Sequence, residues 1–76
     1  MKVYLVIYSY DYGPTDILEA HTSRDHANIR AITLGNSEIK SYQQKENGIN
    51  IKINENGTVF VGDGYQWYES IEMELQ

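Results

Sequence analysis

Residues 2–10 constrain the fold more than any other stretch. Val3, Leu5 and Ile7 alternate with Tyr4, Val6, Tyr8 and Tyr10. A period of two in β-branched and aromatic residues predicts a strand. Both faces of that strand are apolar. It therefore belongs in the middle of a sheet, or its tyrosine face meets something else. Asp11-Tyr12-Gly13-Pro14-Thr15-Asp16 is turn chemistry, with glycine free to adopt a positive φ and proline fixing its own near -65°. Ile17 to His21 reads as a second strand, with Leu18 and Ala20 toward the core and Glu19 and His21 outward.

A change of period marks the helix. Thr22-Ser23-Arg24-Asp25 is a helix start, in which the Thr22 hydroxyl can cap a backbone N–H and Asp25 lies near the positive helix end. Ala27, Ala31 and Leu34 recur at i, i+4 and i+7 with Ile32 beside them, which is one apolar helix face. Gly35-Asn36 can close it with a left-handed cap. Ser37 and Glu38 then start a second helical stretch through Ile39, Tyr42 and Lys45, stopped by Asn47-Gly48. A single helix kinked at Gly35 is the alternative.

The remainder returns to strands. Ile49, Ile51 and Ile53 alternate with polar residues, and Asn56-Gly57 predicts a two-residue type I′ hairpin turn. That turn sets Ile53 opposite Phe60 on the core face. Val61-Gly62-Asp63-Gly64 is a second turn. In the last strand, Tyr65 to Leu75, the residues Tyr65, Trp67, Ile71, Met73 and Leu75 point to the core. Gln66, Tyr68, Ser70, Glu72 and Glu74 point away. Glu69 interrupts the apolar side and predicts a bulge or a strand end. The expectation is a single α+β domain over residues 1–76: one helix or broken helix pair on one face of a mostly antiparallel sheet of four or five strands, in the order β-β-α-β-β-β.

Composition removes several function classes. The 76 residues include no cysteine, which excludes a disulfide framework, a cysteine zinc site and a thiol nucleophile. A core this small must stand alone or be helped by a partner chain. Six basic against eleven acidic residues give a net charge of -5, which disfavours direct binding to nucleic acid or an anionic membrane. No apolar run approaches the roughly 18 residues of a membrane span, and residues 1–10 lack a cleavable signal pattern, so a cytoplasmic protein is expected. Without a secretory route, Asn56-Gly57-Thr58 is a turn and not a glycosylation site.

Catalytic and cofactor motifs are missing. His21 and His26 are five apart across a strand-to-helix junction, not at the helical spacing of a metal pair. Gly62-Asp63-Gly64 precedes a strand and offers no helix N-terminus to a phosphate. Asp11 and Asp16 are too sparse for a calcium loop. A non-catalytic protein without metal or cofactor is expected.

Two anomalies remain. Residues 1–52 carry six basic and six acidic side chains, whereas residues 53–76 carry Glu55, Asp63, Glu69, Glu72 and Glu74 and no basic one. The whole net charge lies in the last third. One reading is a solvated strand face that discourages edge aggregation. The other is a surface that steers and binds a basic partner, with Glu69, Glu72 and Glu74 beside Tyr68. The second anomaly is the load of seven tyrosines and one tryptophan. Tyr4, Tyr8 and Tyr10 are either half-buried sheet residues with wet hydroxyls or a contact patch suited to homodimerisation.

Lys2 to Asp11 and Ile17 to Ala27 resemble the opening of small phage and bacterial proteins that run strand, acidic turn, strand and Thr/Ser-capped helix. Trp67 to Leu75 is similar to their acidic final strand. The Asn56-Gly57 hairpin has no counterpart in them. The resemblance implies a context and carries no residue roles. Compact acidic phage proteins of this size are often inhibitors of host defence, of the anti-CRISPR or anti-restriction kind, and some imitate DNA charge. It implies a partner that is a host protein with a basic surface, such as a nuclease or a nucleic-acid-binding complex. Two other functions fit the residues: an oligomer that sequesters a nucleotide on its tyrosines, and an assembly subunit.

Overall fold

The computed structural model describes residues 1–39 and 49–75. Its five strands are β1 (Lys2–Tyr10), β2 (Asp16–His21), β3 (Asn50–Ile53), β4 (Val59–Gly62) and β5 (Gln66–Glu74). They form one antiparallel sheet in the order β2-β1-β5-β4-β3. Helix α1 (Arg24–Leu34) runs on into a single π-helical stretch, Gly35–Ile39. This is the expected α+β order, with the long strands β1 and β5 at the centre. The second half of the predicted second helical stretch falls outside the described residues.

The helix covers the face opposite to the one expected from β5. The core consists of Val6, Ala27, Ala31, Ile39, Val59, Val61 and Tyr68, with Tyr4 and Tyr8 packed against it. Tyr68 and Ser70 thus lie under the helix, and Trp67, Ile71 and Met73 lie on the other face. Glu19 and His21 are likewise on the helix side, because they pair with Val6 and Tyr4. Ala20 pairs with Leu5 on the far side.

Chain chirality explains the choice. Asp11 N–H donates to the Tyr65 carbonyl and Leu75 N–H to the Met1 carbonyl, so the odd-numbered residues of β1 bond toward β5. For L-residues this fixes the side on which Tyr4, Val6 and Tyr8 stand. The antiparallel pairings make the two edge strands β2 and β3 parallel to each other. A right-handed passage from β2 to β3 then takes α1 over the tyrosine side.

Local details follow from packing. Ser23, not Thr22, caps α1, its hydroxyl accepting from His26 N–H at 3.3 Å. Gly35 is right-handed (φ -59°), so it forms no left-handed cap, and the helix continues past it. Its function is close approach: a Cβ there would lie 2.4 Å from Val61 Cγ1. Ala27 and Ala31 allow the same closeness along the rest of α1. Each fully buried aliphatic side chain in this layer, such as Val6, Val61 or Ile39, stabilises the fold by about 1.5–3 kcal/mol.

The β3–β4 hairpin closes through three residues, Glu55, Asn56 and Gly57, with Asn54 N–H bonded to the Thr58 carbonyl at 2.8 Å. Only Gly57 has a positive φ (87°), so the turn is not type I′, and Ile53 faces Val59 instead of Phe60. The register of β1 and β5 is continuous through Glu69. The irregularity lies between β1 and β2, where Val6 pairs with Glu19 and Ile7 with Ile17.

Candidate functional site

The acidic residues of the last third gather where the hairpin leaves the sheet. β4 pairs with β5 only from Phe60 to Gly62. Beyond that, Val59 N–H turns to the Ser70 hydroxyl at 2.9 Å. Ser70 is fully buried and in turn donates to Asn28 Oδ1 on α1. Asn28 Nδ2 donates to the Gly57 carbonyl at 2.8 Å, and Arg24 Nη1 to the Asn56 carbonyl at 3.0 Å. The helix thus holds the hairpin tip away from β5 by its loop carbonyls. Inside the tip, Asn56 Oδ1 accepts from the Thr58 N–H and hydroxyl, which fixes the loop.

The gap so created is a cleft of about 410 Å³. Glu55, Glu69 and Glu72 converge on it, with Ile71 and the polar side chains of the hairpin tip, and no basic residue lines it. Glu69 is half-buried, and burial raises its carboxyl above the usual carboxylate range. It has no hydrogen-bond or ion-pair partner among the described residues. Glu72 lies 3.2 Å from Lys2 Nζ, which raises the lysine. Glu74 lies 2.8 Å from the Met1 amino group.

The other expected site residues are elsewhere. Asp63 sits in the β4–β5 turn, at the far end of β5 from Glu72. Its Oδ1 accepts the N–H groups of Tyr65 and Gln66, so one role is to cap that turn. Tyr68 is buried, with its ring 4.9 Å from that of Tyr8. Tyr8 donates to Gln66 Oε1 at 2.9 Å, and Tyr10 leans on Tyr8 at the rim. Tyr4 is half-buried. The tyrosine side is therefore a helix-covered layer with polar tips. Within it Tyr68 is buried under α1 and Tyr4 and Tyr8 are half-buried, while Tyr10 is exposed at the rim.

Sequence reasoning missed the polar contacts that fasten the helix. Glu19 accepts a bidentate pair from Arg30, with Nη2 to Oε2 at 2.7 Å, and lies 2.8 Å from His21 Nε2. Arg30 first, then His21, hold the Glu19 carboxyl down at about 2. His21, Arg30, His26 and Ile29 line a second, smaller cavity of about 190 Å³. The available signal was Asn28, a polar residue on the Ala27–Ala31 stripe, and Glu19, which becomes an inward residue once β2 is turned over.

Chemically, the cleft can receive a cation. Among the described residues, Asn54, Asn56 and Thr58 share the cleft with its carboxylates, Lys2 pairs with Glu72 at 3.2 Å, and Ser70 is committed to Val59 and Asn28. No described helix is long and apolar enough to cross a membrane. Fold and cleft together define a small α+β domain with an acidic edge. Compared with known proteins, the chain matches no family model, no curated protein and no solved structure.

Proposed function

We propose that the protein is a non-catalytic binding protein that occupies a basic surface of a partner protein. The specific form of this reading is a phage-encoded inhibitor acting in the host cytoplasm on a defence nuclease or another nucleic-acid-binding complex. The convergence of Glu55, Glu69 and Glu72 on one cleft, where Lys2 pairs with Glu72 and no described cation pairs with Glu55 or Glu69, carries it. A lysine or arginine presented by a partner would find carboxylates there, and the charge of residues 53–76 would steer its approach. Glu55 at the hairpin tip and Glu72 at the strand end form the accessible sides. The helix network through Arg24, Asn28 and Ser70 pre-sets the opening, so less ordering is lost on binding.

The test is capture from host lysate at low and high salt, with a Glu55→Lys, Glu72→Lys variant in parallel. The expected result is one stoichiometric partner that the wild type retains at low salt, that salt releases, and that the variant fails to capture while melting like a folded protein. A partner held equally by the variant, or none in either wash, contradicts the proposal.

A further inference from the structure

The last residues of β5 have one open edge. β5 runs to Glu74, but β4 pairs with it only through Glu69. Leu75 N–H donates to the Met1 carbonyl and Asp11 N–H to the Tyr65 carbonyl, so the main-chain groups of Ile71 and Met73 bond toward β1. Those of Glu72 and Glu74 therefore point the other way, along the line that β4 has left. No described residue pairs with them there. The hairpin tip cannot return to do so, because its own main chain is spent. Asn54 N–H is bonded to the Thr58 carbonyl, Gly57 N–H to the Asn54 carbonyl at 2.9 Å and Thr58 N–H to Asn56 Oδ1 at 3.1 Å. Arg24 and Asn28 hold the Asn56 and Gly57 carbonyls. The cleft beside Glu69, Ile71 and Glu72 is thus the start of an open strand position, about 14 Å long from Ile71 to Glu74.

We infer that this edge accepts an extended segment of a basic partner as an added strand, with lysine or arginine beside Glu72 and Glu74 and aliphatic side chains beside Ile71 and Met73. The inference rests on the basic-partner reading and gives that partner a form. Main-chain hydrogen bonds to Glu72 and Glu74 hold the segment, and its alternate side chains decide which sequence fits. The pleat of β5 sets that alternation. Glu72 and Glu74 lie on the helix side of the sheet, and Ile71 and Met73 on the other. Met73 is 42% exposed, so its apolar surface is open to a neighbour. Glu72 and Glu74 each use Oε2 on a cation of the β1 end, Lys2 Nζ at 3.2 Å and the Met1 amino group at 2.8 Å. Their Oε1 atoms have no partner among the described residues and remain for a cation on the new strand. Charge also selects against a second copy as the occupant. Two β5 edges laid together would set Glu72 and Glu74 against the same carboxylates of the other chain.

The probe is an end-blocked peptide of alternating lysine and valine, titrated into the isotope-labelled protein and followed by amide resonances. Two companions have the same sequence and charge. One is methylated on the lysine main-chain nitrogens, which face β5 when the lysines stand beside Glu72 and Glu74. The other is methylated on the valine nitrogens, which face away. The parent peptide is expected to bind saturably and to slow amide exchange at Glu72 and Glu74. Methylation of the lysine nitrogens should weaken binding by about tenfold or more, and methylation of the valine nitrogens by less than about threefold. Equal binding of all three peptides, or amides of Glu72 and Glu74 that stay unprotected, overturns the added strand and leaves attraction by charge alone. No saturable binding of the parent peptide also overturns it. The basic-partner reading fails by a different result, capture of the lysate partner by the Glu55→Lys, Glu72→Lys variant, so the two can fail separately.

Discussion

Both sides of the sheet carry apolar side chains, and the two are used in opposite ways. On the helix side, the residues that meet α1 are small or have a polar tip with a partner: Ala27 and Ala31 against Val6 and Val61, Ser70 with Asn28, Glu19 with Arg30. On the other side, larger side chains such as Trp67, Phe60 and Ile71 surround a carboxylate with no partner among the described residues. The difference teaches that hydrophobicity alone did not choose where the helix went. Handedness of the chain path chose, and polar partners then fixed the helix where it lay.

The sharpest way to break this comparison is to truncate one isoleucine on each side. Ile39→Ala removes a fully buried side chain from the helix layer and should cost about 2–5 kcal/mol in urea unfolding. Ile17→Ala on the uncovered side should stay within about 0.5 kcal/mol at concentrations where the chain is monomeric. Similar costs at the two sites would erase the distinction. The next effect is Ser70→Ala, which strips the Val59 N–H and Asn28 of their buried partner and should cost about 1–3 kcal/mol. Amide exchange at Val59 should quicken first, because the hairpin tip loses its tie to the helix.

The smallest effect is electrostatic. Glu19 is held at about 2, below its ordinary 4.5, so its pairing stabilises the fold fully above about 4.5 and loses that contribution as the pH falls toward 2. Arg30→Gln should therefore destabilise the protein near neutral pH and progressively less on acidification. A difference from wild type that stays constant with pH would show that Arg30 acts by packing its stem and not by its charge.

Much of the chain was legible as sequence. The alternation in residues 2–10, the Ala27–Ala31 stripe and the Gly57 and Gly64 turns mark elements that the structure contains. What was not legible was which side of the strands faces inward. Residues 2–10 are apolar on both sides, so periodicity gives the strand and leaves its orientation open. Orientation depends on β5 pairing with β1, a contact between the two ends of the chain that no local pattern announces. The same inversion explains the acidic residues. With Trp67 and Ile71 taken as inward, Glu69 looked like a break in the core, whereas it is part of an uncovered surface. The hairpin turn differed for a local reason: helix residues Arg24 and Asn28 grip its carbonyls, and the three-residue loop presents them.

Helix α1 lies over Val6, Tyr8 and Tyr68, and Leu5, Ile7 and Ile71 stand on the opposite side of the sheet. Nuclear Overhauser contacts from the Ala27 and Ala31 methyl groups test it directly. The structure predicts cross-peaks from these methyls to the Val6 and Val61 methyls and the Tyr68 ring, and none to Leu5 or Ile71. Cross-peaks to Leu5 and Ile71 would place the helix on the other side of the sheet and contradict the account.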